Sequence, residues 1–410
     1  MVRGCKLHYA ASVAAPQVAT FSPAILFSAL LVACVAASGC PRKPDDPPPR
    51  EATPPLAEVA CVADSGCSGA AELAQAKSAH DAAVAAEPSA VQHGAELYGR
   101  MCAVCHGGEG EGYKADQAPA LANPAFLASV SDEFLRFAID VGRQGTTMSA
   151  WGGKHGGPLS EGDLQAVVAF LRSLQKEPRL ALDESPLRGN VQRGALEFKR
   201  TCERCHGDQA AYLHLRNRQL LAYARPGFLR HAIRAGRPGT EMEGYEQSLG
   251  RERIEDLVAY LRSLPSTITA EELAGTSDPP PLPLGPVPLH PKGREPKGFR
   301  VFPEMTSVDV VAPELAKKRR MALLDARAPS DYVRSHIAGA VSVPFYDPAP
   351  YLAELPKDAW LVCYCGCPHA ESGTLATKLL EAGFKKVTVL DEGLGDWQSK
   401  GHPMQNGPSP

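Results

Sequence analysis

The residues best equipped for chemistry sit in two short runs, Cys102-Ala103-Val104-Cys105-His106 and Cys202-Glu203-Arg204-Cys205-His206. Both read C-x-x-C-H, the pattern that attaches c-type haem covalently. Two thiols add across the porphyrin vinyl groups, and the gap of two residues sets their separation. The histidine that follows then lies under the iron as proximal ligand. Two covalent haems are therefore expected, on Cys102 with Cys105 and on Cys202 with Cys205, with His106 and His206 as iron ligands. The competing reading is a pair of C-x-x-C redox or zinc sites, each followed by histidine by chance.

The surrounding sequence repeats with the motif. Gly94-x-x-x-Tyr98 precedes the first run and Gly194-x-x-x-Phe198 the second. Phe134-Leu135-Arg136 matches Phe228-Leu229-Arg230, and Gly142-Arg143 matches Gly236-Arg237. Gly145-Thr146-Thr147-Met148 matches Gly239-Thr240-Glu241-Met242, and both copies close on a helix through Phe170 or Tyr260. The offset between copies falls from 100 at the haem motif to 94 at the methionine and 90 in the last helix. Residues are thus lost between elements, where loss is best tolerated.

On these motifs each copy resembles a class I cytochrome c, over about 90–180 and 187–265, and the pair resembles the tandem haem domains of respiratory-chain subunits. The resemblance implies all-α domains in which an N-terminal helix crosses a C-terminal one at a small residue. Gly94 with Phe170 and Gly194 with Tyr260 are the expected crossing pairs. It implies Met148 and Met242 as sixth iron ligands, each on a glycine-bounded loop rather than an apolar face; a lone methionine otherwise reads as core filling. Thioether opposite imidazole raises the potential, as electron carriage needs. Pro119 matches the proline whose carbonyl holds the proximal histidine; at the same offset the second copy has Leu213. Six arginines between Gln209 and Thr240, with no acid among them, are expected to form a basic face for an acidic redox partner.

A third constellation lies near the C-terminus, where Cys363, Cys365 and Cys367 precede His369. Strands are expected over Ala322 to Arg327, Ala359 to Cys365 and Lys386 to Leu390, with a helix from Ser372 to Ala382, giving an α/β domain with a mostly parallel sheet. Leu324-Asp325-Ala326-Arg327, His336-Ile337-Ala338-Gly339-Ala340, Tyr364-Cys365 and Asp391 to Trp397 follow one another as in rhodanese, which this segment resembles. The resemblance implies that Cys365, at a strand end before a helix, carries a persulfide sulfur. The loop after it is one residue longer than in common sulfurtransferases and has Glu371 near the place of their arginine. A carboxylate there repels thiosulfate. Cys367 could resolve an oxidised Cys365 as a disulfide. A soft-metal site from Cys363, Cys365, Cys367 and His369 is the alternative, weakened by the expectation that Cys363 points away from Cys365.

The remaining chain sets the context. With 410 residues and a net charge of -3, it has room for several domains and no global field for nucleic acid. Arg3 and Lys6 precede an apolar stretch, Ala24 to Ala37, too short to span a bilayer comfortably, so 1–39 reads as an export signal. Ala37-Ser38-Gly39-Cys40 has lipobox form, with Cys40 as the lipidated residue and Cys34 as the alternative. Ordinary cleavage or an uncleaved anchor are the other outcomes. All place the bulk in an oxidising, periplasmic compartment. Cys61 and Cys67 fit a local disulfide or two idle thiols.

The expected order is a signal (1–39), a Pro-rich tether with an Ala-rich segment (40–88), cytochrome c domains (89–180 and 187–266), a Pro-rich linker (267–298) and a rhodanese-like domain (299–407). Extended, the Pro-rich stretch from Asp278 to Pro291 would hold the last domain off by roughly 40 Å. The expected function is that of a membrane-anchored dihaem carrier passing electrons between redox partners. Two alternatives stay open: an enzyme that oxidises a sulfur compound at Cys365 and reduces the haems, or a non-catalytic docking module.

Overall fold

The computed structural model describes residues 89–115, 117–207, 214–268, 287–366 and 369–410. The expected signal, Cys34, Cys40, Cys61, Cys67, Leu213 and Cys367 lie outside the described residues, as does most of the Pro-rich linker. No helix among the described residues is long and apolar enough to cross a membrane.

The first repeat is built from α1 (Ala90–Met101), the short α2 (Ala103–His106), α3 (Pro124–Ser129), α4 (Asp132–Val141) and α5 (Glu161–Ser173). Capping boxes start both long helices, Ser89 with Gln92 on α1 and Ser160 with Asp163 on α5, so each opens at a fixed residue. α1 crosses α5 at Gly94, where a Cβ would fall 1.9 Å from the carbonyl oxygen of Ala166 and 3.0 Å from Cβ of Phe170. One turn on, Tyr98 packs on Phe170 at 4.9 Å between ring centres.

The second repeat repeats this with α6 (Val191–Glu197), a π turn (Phe198–Cys202), α7 (Glu203–His206), α8 (Arg218–Tyr223), α9 (Pro226–Ala235) and α10 (Glu246–Ser263). Here a Cβ on Gly194 would lie 1.9 Å from the Asp256 carbonyl oxygen and 2.8 Å from Cβ of Tyr260. Both crossing pairs meet as the repeat implies.

The two repeats join about an approximate two-fold axis. Asn123 caps α3 through its side-chain oxygen, and its Nδ2 donates to the Pro238 carbonyl of the second repeat at 2.9 Å. Asn217 caps α8 in the same way, and its Nδ2 donates to the Gln144 carbonyl of the first repeat, also at 2.9 Å. Both partners are related by the same offset of 94, so each copy uses the patch its mate uses, as in a symmetric dimer. Phe134 and Phe228, equivalent positions, meet 5.3 Å apart at the centre. Asn217→Ala removes a cap and the crossing bond, and should cost the full chain about 2 kcal/mol. Asn217→Ser, which keeps the cap oxygen, should cost about half as much in denaturant melts.

The arginine-rich stretch does not form the expected basic face. Arg230 is buried, held by both oxygens of Glu255 (2.7 and 3.0 Å) and by the carbonyls of Asp183 and Ser185. Arg225 reaches Glu133 of the other repeat, Arg234 pairs with Glu246 and Arg216 with Glu203. The Arg237 guanidinium lies beside both the Phe126 and Phe228 rings, 5.6 and 5.5 Å from their centres. Acids outside the stretch pair with Arg216, Arg225, Arg230 and Arg234, which a local charge count misses.

The C-terminal domain opens with α11 (Val308–Ala316). Its central sheet is parallel throughout, with spatial order β3-β1-β4-β5, from β1 (Met321–Asp325), β3 (Val341–Ser342), β4 (Trp360–Tyr364) and β5 (Val387–Val389). The helices α12 (Pro329–Arg334), α13 (Ala370–Glu381) and α14 (Gly393–Ser399) alternate with the strands. Beside the sheet, β2 (His336–Ile337) and β6 (Met404–Gln405) form an antiparallel pair. Successive β4 residues face opposite ways: Leu361 and Cys363 enter one core, Val362 and Tyr364 the other. Cys365 joins the first core with Cys363, correcting the expectation that they point apart, because residues two apart on a strand share a face.

The last domain is not held at a distance, whatever the reach of the linker. It packs on the first repeat, with Trp151 edge-on to Tyr346 at 5.7 Å. Ser149 Oγ donates to Asp331 at 2.6 Å, and Ser330 Oγ donates to the Ala150 carbonyl at 2.7 Å. α13 also lies against α2, the turn that carries Cys105 and His106.

Candidate functional site

In the first repeat α1 ends by turning at Cys102, whose carbonyl accepts from the His106 N–H at 2.9 Å. One tight turn thus carries Cys102, Cys105 and His106, and no disulfide joins the thiols. Burial pushes the Cys102 thiol up to about 12. His106 is buried, and its Nδ1 lies 2.9 Å from the Pro119 carbonyl, which fixes the ring with Nδ1 as donor. Burial also lowers its pKa, favouring the neutral imidazole that binds metal through Nε2. Tyr98 Oη, donating to the Gly107 carbonyl at 2.9 Å, ties this turn to the helix crossing.

The second motif is placed alike, on α7 directly after the π turn. Burial pushes the Cys202 thiol up to about 11, and the His206 carbonyl accepts from Leu215 N at 3.1 Å.

The methionine loops are near copies. In the first, Arg143 N donates to the Met148 carbonyl at 2.8 Å, Thr146 N to the Arg143 carbonyl at 3.1 Å, and Met148 N to Thr146 Oγ1 at 3.2 Å. In the second the same bonds measure 2.7, 3.0 and 3.1 Å among Arg237, Thr240 and Met242. Gly142 and Gly236 enter the loops at φ 65° and 67°, and Gly145 and Gly239 turn them at 77° and 84°, values that favour glycine. Backbone bonds therefore hold Met148 and Met242 in place, and both side chains stay partly exposed.

The residues present fit haem. Arg143 Nη1 is buried with no hydrogen-bond partner, its guanidinium 5.2 Å from the centre of Phe134, and burial lowers its pKa to about 10. Such a group calls for an anion, which a haem propionate supplies. When bound, haem supplies one-electron redox at its iron. Cys102 with Cys105 and Cys202 with Cys205 would hold it covalently, and His106, His206, Met148 and Met242 are the residues that would ligate its iron. The role of Arg143 was open to detection in sequence only as a Gly-Arg pair conserved between the two copies. The joint-forming Asn123 and Asn217 read as caps alone.

In the C-terminal domain Cys365 directly follows β4 and is 1% exposed, with Sγ 3.3 Å from Ser372 Oγ. Arg327 is held by Asp325 through Nε (3.0 Å) and Nη2 (2.7 Å), and Nη2 also donates to the Ser335 carbonyl. Glu371 is buried in the first turn of α13, and burial, with Cys365 and Asp331 nearby, holds its carboxyl well above the usual carboxylate range. Burial thus favours its neutral form over the expected repulsive carboxylate. Burial lowers the pKa of His369, which sits 3.4 Å from Asp391. Among the described residues no group of His, Cys, Asp and Glu is arranged to hold a metal ion.

The first repeat reaches this site. A Cβ on Gly366, the residue after Cys365, would lie 3.7 Å from both Thr147 Cγ2 and Arg327 Cδ. Thr147 immediately precedes Met148, so the methionine loop comes close to the residue that follows Cys365.

Comparison with known proteins agrees with this architecture. The profile of the family described as cytochrome C oxidase, cbb3-type, subunit III matches residues 89–171 and 189–261, and that of the rhodanese-like domain matches 309–400. The thiosulfate sulfurtransferase GlpE of Coxiella burnetii is 32% identical over 93 residues, covering 23% of this chain and 85% of that protein. An HTH-type transcriptional regulator of Mycobacterium tuberculosis is 31% identical over 97 residues, 23% of this chain and 43% of the regulator, so the chain spans less than half of that relative. The solved rhodanese-like domain of an Anabaena protein is 27% identical, covering 25% of this chain and 78% of its own, with a TM-score of 0.24. The chain is multidomain: two cytochrome c domains, which imply haem c and electron transfer, precede an α/β domain through which it belongs to the rhodanese-like family.

Proposed function

We propose that the protein is a periplasmic dihaem electron carrier, lipid-anchored at Cys40 with Cys34 as the alternative, whose rhodanese-like domain handles sulfane sulfur. His106 with Met148 and His206 with Met242 hold the two irons. Redox proteins, such as those of a respiratory chain, are the partners. The observation that carries this reading is the duplication of a whole set: a thiol-thiol-imidazole turn and a methionine loop with the same backbone bonds. A haem held by an imidazole and a thioether of the protein would exchange electrons rather than bind substrate. A pyridine haemochrome assay with a redox titration tests it. Two haems per chain and two high-potential waves are expected; one haem per chain, or none, would end the reading.

A second reading is favoured by the closeness of Thr147 to Gly366, the residue after Cys365. Sulfur oxidation at Cys365 would then supply electrons to the first haem domain. Adding sulfide to the oxidised protein should bleach the ferric spectrum in the parent chain and not in Cys365→Ser. Equal reduction of both proteins would remove this reading.

A further inference from the structure

The C-terminal domain sits on one particular face of the first repeat. Arg100, at the end of α1, reaches Asp347 at 3.8 Å, and α13 lies against α2, the turn that carries Cys105 and His106. The contact continues on the residues after Met148. Two bonds latch them, Ser149 Oγ to Asp331 and Ser330 Oγ to the Ala150 carbonyl, and Trp151 packs on Tyr346. Ser149, Ala150 and Trp151 are all buried. One neighbour thus packs against the cysteine turn and the end of the methionine loop together.

Among the described residues, the equivalent face of the second repeat is open. Glu243 and Gly244, in the places of Ser149 and Ala150, are exposed, and Tyr245 is half-buried. Arg200, in the place of Arg100, turns back to Glu197 with its side chain 64% exposed. Beside it the residue types change. Leu196, Lys199 and Arg204 stand where the first repeat has Glu96, Gly99 and Val104. Leu196 is 72% exposed, more than any other large hydrophobic residue among those described. Lys199 and Arg204 are exposed and in no ion pair among the described residues. Glu203, between them in sequence, is paired with Arg216. An apolar centre with a charged rim is the make-up of an interface, and the cations set the sign of what fits it.

We propose that the C-terminal domain is the resident occupant of a docking face on the first repeat, and that the same face of the second repeat receives a separate redox protein bearing an acid-rimmed apolar patch. Repeat symmetry carries the argument: a face that binds a folded domain in one copy recurs in the other, uncovered and made basic. The chain therefore meets outside partners through its second repeat. The inference rests on the reading that both cysteine turns carry haem.

The test uses the full-length holoprotein at low ionic strength, with cytochrome b5, a small acidic redox protein, as probe. Carbodiimide, which joins carboxylates to amines in contact, should link the probe to Lys199 and not to Lys114, Lys154 or Lys176 of the first repeat. By titration calorimetry, Lys199→Glu and Arg204→Glu should each weaken binding about fivefold and flatten its salt dependence. Leu196→Ser should weaken it about threefold, through lost apolar contact. Lys176→Glu, the same reversal on the first repeat, should change it by less than about twofold. Absence of binding, links on the first repeat, or equal weakening by Lys176→Glu overturns the proposal. Self-association abolished by Leu196→Ser would also overturn it, by seating a second copy on the face. Links from Lys199 into residues 41–87 would do so by seating the chain's own N-terminal stretch there. A haem count below two with the probe still linked at Lys199 would end the haem reading and leave the docking face standing.

Discussion

Gly94→Ala should unfold the first repeat or cost it well over 3 kcal/mol, while Gly99→Ala in the same helix should stabilise it by about 0.5–1 kcal/mol. The two substitutions add the same methyl group to α1. At Gly94 it would stand 1.9 Å from the Ala166 carbonyl oxygen and 2.5 Å from its carbon, whereas nothing lies within 4 Å of the corresponding position at Gly99. The clash at Gly94 is with helix backbone, which cannot rotate away like a side chain, so α1 and α5 must separate. Separation breaks the Tyr98–Phe170 contact and exposes Leu97, Val167 and Leu171. Overpacking ordinarily costs about 1–3 kcal/mol, and a backbone clash at the main crossing belongs beyond that range. Since whole domains are stable by only about 5–15 kcal/mol, haem content should fall along with the melting temperature. Equal melting temperatures for the two variants would mean that the crossing is not what holds the repeat together.

The other large effect is on potential. Met148→Ala should lower the potential of one haem by a few tenths of a volt, a sizeable part of the roughly 0.8 V over which axial ligands range. Met242→Ala should do so for the other haem. Backbone groups hold the methionine loops, so truncating the side chain leaves the loop standing and removes the thioether alone. Thioether favours ferrous iron, and losing it favours ferric. Titration of each variant should show one displaced wave and one unchanged. Two unmoved waves in Met148→Ala would eliminate Met148 as a ligand.

What the sequence could tell depended on how far apart the interacting residues lie along the chain. Short-range patterns were legible: the two C-x-x-C-H turns, the glycine at each crossing, the strand ending at Cys365. The arginines between 209 and 240 looked like one basic surface because their partners, Glu133, Glu246 and Glu255, lie outside that window. Asn123 and Asn217 are recognisable as helix caps, but their second bond crosses between repeats, and no local pattern encodes that. Glu371 could be placed near Cys365 from sequence, yet the rise in its pKa comes from burial, which only packing creates. The facing of Cys363 was within reach of the two-residue period of a strand, and there the reading, not the signal, was at fault.

The latch between Ser149 and Asp331 has a consequence for how this chain is assembled. The joint between repeats treats them as equals, and would survive their exchange. The latch would not, because the positions equivalent to Ser149 and Trp151 are Glu243 and Tyr245. Swapped, a glutamate would face Asp331, carboxylate to carboxylate. The linear order of the two modules is therefore written into two side chains, Ser149 and Trp151, and a chain spliced in the reverse order should lose its C-terminal neighbour while keeping its twin.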